Sequence, residues 1–209
     1  MKRLIILSII LIGIYSCSAP NNSSNIQTRI GKQMETTSEE FDTLLFQMNR
    51  GYNNDYMYRT GQWQVLQRYM SDNNVYYYYE RKLKDGELIE EYRRFFSSGK
   101  LNVRGFCYKN HGFSIGVWSE YNEDGKLIRE IDKDEPFRNY PWNEVRLFME
   151  KEYHVDFFDK HTIVHRYLDT TSIPVYDICW QSKKDVFKNV IIDISTRKVI
   201  KEKEFKAQK

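Results

Sequence analysis

Gly86, Gly99, Gly112 and Gly125 lie thirteen residues apart, and Asn73 falls one period earlier. Three of the glycines sit in near-copies of one turn: Lys84-Asp85-Gly86-Glu87-Leu88, Ser97-Ser98-Gly99-Lys100-Leu101 and Glu123-Asp124-Gly125-Lys126-Leu127. Glycine reaches positive φ without steric penalty, and asparagine is the residue that best replaces it there. A turn every thirteen residues leaves about eight residues between turns, a strand length and too short for a helix. Asp-Gly ahead of a run of β-formers is a hairpin signal. The intervals are rich in such residues: Val75 to Tyr79, Tyr92 to Phe96 and Val117 to Tyr121. The spacing therefore predicts strands over about 63–70, 75–83, 88–96, 101–109, 114–122 and 127–132. They would join as an antiparallel meander with Gly86, Gly99, Gly112 and Gly125 as its structural turns.

The same residues carry a resemblance. Tyr-X-X-X-Gly-Lys-Leu, Gly105, Tyr108 to Gly112, Gly116-X-Trp118-X-X-Tyr121 and Asp124 to Ile128 resemble the variant MORN repeat of bacterial proteins. The match covers about 92–131, with a degraded copy over about 66–91. It implies a single-layer antiparallel sheet without catalytic residues. It also implies company with lipoproteins, some of them antitoxin- or immunity-like.

Residues 1–16 read as a signal peptide. Lys2 and Arg3 precede an apolar run, Leu4 to Ile14, that is short for a bilayer span of about 20 residues. Ser16 before Cys17 resembles a bacterial lipoprotein signal, which makes Cys17 the lipid attachment site and the membrane a partner through acyl chains. An ordinary secretory signal cut nearby is the alternative. Ser18 favours the outer membrane, and the lack of a following acidic cluster favours its periplasmic leaflet. Residues 17–36, rich in Asn and Ser, form a tether.

Residues 37–132 make the next region. Thr37 with Glu40 suggests a capping box, and Phe41, Leu44, Leu45 and Met48 fall at helical spacing, so a helix of about ten residues is expected. Gly51 to Gly61 reads as a break. In residues 133–209, Pro141 occupies a helix's first position and Trp142, Val145, Phe148 and Met149 make one apolar stripe. Strand-like runs follow at Thr162 to Leu168, Val175 to Trp180, Phe187 to Ile194 and Val199 to Phe205. The tail is thus a small α+β unit, helix then antiparallel strands. Ile163-Val164-X-Arg166, Trp180 and Ile192-Asp193-X-X-Thr196-X-Lys198-Val199 give it a faint resemblance to PepSY-like modules, with Arg197 where the usual glycine stands. The fold class is mainly β with minor α.

Removing Lys2 and Arg3 lowers the net charge from +3 to about +1, too little for a nucleic-acid footprint, so no nucleic-acid partner is expected. Between Lys183 and Lys209 nine cations face four acids, which reads as a solubilising tail. After Cys17 only Cys107 and Cys179 remain, in different regions, and free thiols are expected. Gly112-Phe113-Ser114-Ile115-Gly116 matches a nucleophile-elbow pattern, but the flanking strands deny it the strand–turn–helix corner that motif requires. His161 and His165 are four apart in a strand, about 13 Å, too far to share a metal. No catalytic residue, metal site or cofactor is assigned.

The aromatic strands admit two uses, core packing or recognition. Tyr, Trp and Arg dominate interface energetics. Tyr77, Tyr79, Arg93, Trp118 and Tyr121 are the candidate partner-binding residues, with Tyr76 and Tyr78 on the opposite face. The expected function is a non-enzymatic envelope lipoprotein that binds or shields a protein partner, of an immunity- or antitoxin-like kind. A periplasmic glycan- or peptide-binding accessory module is the alternative.

Overall fold

The computed structural model describes residues 35–109 and 112–206. The signal segment, Cys17 and all of the tether but its last two residues lie outside the described residues. The architecture is the expected one, an antiparallel meander followed by a helix and a second antiparallel sheet. The meander has seven strands in chain order: β1 Asp55–Thr60, β2 Trp63–Asp72, β3 Val75–Lys84, β4 Ile89–Phe96, β5 Leu101–Tyr108, β6 Ser114–Tyr121 and β7 Leu127–Asp132. A helix, α1 Thr43–Asn49, precedes it. After it come helix α2 Trp142–Tyr153 and the strands β8 Ile163–Leu168, β9 Pro174–Lys183, β10 Val186–Asp193 and β11 Lys198–Lys206, paired in the order β11-β10-β9-β8.

Strand β1 corrects the expected break at 51–61. Asn54 and Gly61 both take φ of +57° and bracket six extended residues between them. Tyr56 and Tyr58 stack at 4.7 Å on one side of that strand. The residues that looked like a loop are the two turns at its ends.

Turns alternate between the two ends of the sheet. Asn73-Asn74, with φ of +49° and +64°, join β2 to β3 and fix the pair Asp72↔Val75. Gly86, Gly99 and Gly125 take φ of +78°, +89° and +76°, as the spacing requires. Gly112 does not. A Cβ there would meet the Val164 carbonyl at 2.6 Å and the Tyr108 ring at 2.7 Å, so this glycine permits close approach of β8. Positive φ falls instead on Gly116, at +69° inside β6.

The structural period is 26 residues. The amide of Gly99 bonds the Phe96 carbonyl and that of Phe96 bonds the Lys100 carbonyl; Gly125, Asn122 and Lys126 repeat this arrangement. Both turns are held by one extended strap, residues 35–42. Gly125 O accepts from Thr37 N and Gly99 O from Phe41 N, each at 2.8 Å. Glu35 O accepts from Leu127 N and Glu39 O from Leu101 N, at 3.0 and 3.1 Å. Four strap residues match one 26-residue step of the sheet.

The strap replaces the N-terminal part of the expected helix. Thr37 Oγ1 accepts from Glu39 N, and Asp42 rather than Thr37 caps α1 through Leu45 N. The inward side chains are Phe41 and Phe46, which pack on Tyr78, Phe95, Leu101 and Tyr121. Leu44, Leu45 and Met48 point outward, so the expected apolar stripe is not the buried one.

At the opposite sheet end, α2 and the second sheet close a larger core. Trp142, Val145 and Met149 of α2 join Val164, Tyr176, Ile178, Val190 and Ile192 there. Leu88, Tyr108 and Phe113 of the meander belong to the same core. Pro141 stands one place earlier than expected, as the N-cap of α2. Arg166 locks the joint: its guanidinium bonds the Ser114 carbonyl, the Lys133 carbonyl at 3.0 Å and Asp134 Oδ1 at 2.7 Å. It also lies over the rings of Phe113 and Phe137 at 4.8 and 4.4 Å.

Candidate functional site

Antiparallel pairing carries one face of the meander across its strands in rows, because partners in register point to the same side. One row runs Met57, Leu66, Arg81, Tyr92, Gly105. The next runs Asp55, Arg68, Tyr79, Arg94, Val103, Glu120, Arg129. A third holds Met70, Tyr77 and Phe96. The strap and α1 pack on the other face, around Tyr78 and Phe95. We call the row-bearing side the open face.

Its aromatic rings form a chain. Centroid separations are 6.4 Å from Phe96 to Tyr77, 6.3 Å to Tyr79, 6.1 Å on to Tyr92 and 5.1 Å to Trp118. The last pair is stacked, with 26° between planes. Residue 105 has to be glycine for this, since a Cβ would stand 2.5 Å from the Trp118 ring. Trp118 is pinned by its indole N–H, which donates to the Phe106 carbonyl at 3.1 Å.

Arginines are interleaved with the rings. The Arg94 guanidinium lies 4.7 Å from the Tyr77 centroid and donates its Nε proton to Asn102 at 2.7 Å. Arg68 is held by Asp55 at 3.0 Å, with both side chains about a third exposed. Arg81 pairs with Glu90 at 3.0 Å, both nearly buried, and lies 5.8 Å from the Tyr92 centroid. Burial pushes the Glu90 carboxyl up against the pull of Arg81. Burial and then Glu90 push the neighbouring Cys107 thiol up to about 12, which keeps it in the protonated, weakly nucleophilic form at neutral pH. A groove of about 230 Å³ lies between Leu66, Arg68, Met70, Tyr79, Arg81 and Tyr92. Its aromatic and aliphatic walls with arginine heads suit an extended segment carrying both apolar and acceptor groups.

Of the five residues chosen from the sequence, the fold brings Tyr77, Tyr79 and Trp118 together on the open face. Arg93 and Tyr121 are on the other one. Arg93 is half-buried in a cluster with Glu39, Glu80 and Glu91 at 3.0–3.2 Å. Tyr121 is fully buried beside Phe95 and Leu101. Parity alone separates Trp118 from Tyr121, three residues apart in one strand. Arg93 depends on a finer point. A turn centred on Gly86 would pair Tyr79 with Arg93, but the four-residue connection Asp85–Leu88 centres half a residue later and pairs Tyr79 with Arg94.

Sequence reasoning missed Arg68, Leu66, Met70, Arg81, Tyr92 and Arg94. The signal for Arg68 was present, since a two-residue Asn73-Asn74 turn sets it opposite Tyr79. Tyr76 is half exposed and Tyr78 buried, so Tyr78 is the core member of the opposite pair.

Elsewhere, Ser114 opens β6 opposite Cys107. His161 Nδ1 lies 3.1 Å from Asp159, and His165 Nδ1 lies 3.4 Å from the Gly112 carbonyl. Among the described residues no three His, Cys, Asp or Glu side chains cluster as a metal would need. Cys107 and Cys179 are free thiols. In comparisons with known proteins, no family model, curated protein or solved structure matches the chain.

Proposed function

We propose that the protein is a non-enzymatic envelope lipoprotein of the variant MORN-repeat kind, anchored through Cys17 in the periplasmic leaflet of the outer membrane. Its open face binds a protein partner, in an immunity- or antitoxin-like role. The observation that carries this reading is the five-ring chain Phe96–Tyr77–Tyr79–Tyr92–Trp118 interleaved with Arg68, Arg81 and Arg94. Such residues supply most of the energy in characterised interfaces. They lie on stiff, paired strands, which lowers the entropy lost on binding. No helix of the described residues is long and apolar enough to cross a membrane. The groove beside Tyr79 and Tyr92 gives the alternative, a glycan- or peptide-binding accessory module, its physical basis.

The test is photo-crosslinking in native envelopes. A crosslinker at Tyr77 or Trp118 is expected to give one discrete protein adduct, and one at Leu147, exposed on α2, is expected to give none. With the partner in hand, Tyr79→Ala and Arg94→Ala should each weaken binding by about 2 kcal/mol without changing the melting temperature. Equal adducts at all three positions, or undiminished binding by both variants, would remove the open face as the interface.

A further inference from the structure

The end of the sheet that carries the strap also carries an apolar surface that the described residues leave uncovered. Helix α1 has one inward anchor, Phe46, while Leu44 and Met48 are 71% and 75% exposed. Tyr52, in the turn between α1 and β1, is fully exposed. That turn adjoins β2, because the Asn54 carbonyl accepts from Tyr69 N. Val75 and Tyr76, half exposed, open β3 beside the Asn73-Asn74 turn, and Tyr76 stacks on Tyr69 at 5.4 Å. These side chains come from two stretches, residues 44–52 and 75–76, that lie at the same end of the sheet.

The chain enters the described structure at this same end. Glu35 is bonded to Leu127 at the β6–β7 turn, and the strap then runs across the turn ends to α1. Cys17 lies eighteen residues before Glu35. Eighteen residues span at most about 60 Å, so an acyl anchor at Cys17 would hold this end within that distance of the bilayer. Charges of both signs stand at this end, Asp42, Asp72, Glu123 and Asp124 with Arg50, Lys100 and Lys126, which does not favour an anionic surface over a neutral one. We infer that Leu44, Met48, Tyr52 and Tyr76 seat this end of the protein on a zwitterionic lipid bilayer surface. Two aliphatic side chains on a short helix with tyrosines beside them suit the boundary between acyl chains and headgroups. The open face lies across the sheet from α1, so the groove walls Tyr79, Arg81 and Tyr92 stand on the other side of the sheet from the seated helix. This rests on the anchored reading for why the bilayer is at hand, and its test is independent of lipidation.

The mature chain, residues 17–209 with Cys17→Ser, Cys107→Ala and Cys179→Ser, is held on phosphatidylcholine–phosphatidylethanolamine vesicles by an N-terminal histidine tag and a chelating lipid. An environment-sensitive fluorophore is placed at Met48→Cys, at Leu44→Cys or, as the control, at Leu147→Cys. Tethering is expected to raise emission about threefold, with a blue shift, at 44 and 48 only. Adding about 0.5 M salt should leave the rise intact, since the contact is apolar. Flotation confirms that each variant is tethered, and its thermal melt confirms that it is folded. A tethered, folded protein with no rise at 44 and 48 overturns the inference. So does high emission at those positions before vesicles are added, which would mean that a second copy or the chain's own N-terminal segment covers α1. Whether Cys17 is lipidated in cells is read separately: Cys17→Ala should be released from membranes by a carbonate wash. A failure there would leave the vesicle result standing.

Discussion

Trp118 lies across β5 only because residue 105 has no side chain. Its indole N–H holds it to Phe106, and its ring completes the stack with Tyr92. Gly105→Ala would place a Cβ 2.5 Å from the ring, so the half-buried indole must swing off β5. We expect a loss of about 1–3 kcal/mol in urea unfolding, the range for overpacking a tight site. A red shift of tryptophan emission should accompany it as the indole moves toward water. Unchanged stability and emission would mean that Trp118 is not held as described. At the same scale, Arg93 and Arg94 show how little separates a site residue from a buried ion-pair partner. Adjacent arginines of one sequence pair take opposite faces, and a half-residue shift in a turn decides which one meets Tyr79.

At the scale of elements, the turns of the meander are alike in sequence and unlike in surroundings. Gly86 and Gly125 share a positive φ, which by itself costs a residue with a Cβ about 1–2 kcal/mol. A Cβ on Gly86 meets nothing within 4 Å, whereas on Gly125 it would stand 2.2 Å from the Thr37 carbonyl. Gly86→Ala should therefore lower the urea midpoint by the backbone term alone. Gly125→Ala should cost clearly more and should raise hydrogen exchange at the strap amides of Thr37 and Phe41. Equal losses, with the strap amides unaffected, would show that the strap does not depend on that turn. The strap also accounts for the helix that begins late. Extended bonding of residues 35–42 to two turns satisfies backbone groups that a longer helix would have taken for itself.

Over the whole molecule, the meander is held from both ends, by the strap and α1 at one and by α2 and the second sheet at the other. Arg166 is the polar part of the second attachment. Arg166→Met should cost about 2–3 kcal/mol, because hydrogen bonds from a buried cation are lost together. Arg129→Met, which breaks the exposed pair with Glu120, should change stability by no more than about 1 kcal/mol. Chemical denaturation followed by circular dichroism separates the two, and similar values for both would argue against Arg166 as the joint. Much of this architecture was legible in the sequence. Six of the seven meander strands, the twelve-residue helix after Pro141 and the four strands of the tail follow from glycine spacing, apolar periodicity and β-propensity. These are local properties, carried by each segment wherever it packs. Alternation likewise put Tyr77 and Tyr79 opposite Tyr78 without any knowledge of the fold. The choice of face was not local. Tyr78 is buried because Phe41 and Phe46, more than thirty residues earlier, lie on it, and Gly112 serves close packing because β8 comes from fifty residues later. Six of the strands, three of the four glycine turns and side-chain parity belonged to the sequence alone; which side of the sheet meets solvent was decided by the segments that fold back to cover the other, since covering a face is an interaction between parts distant along the chain.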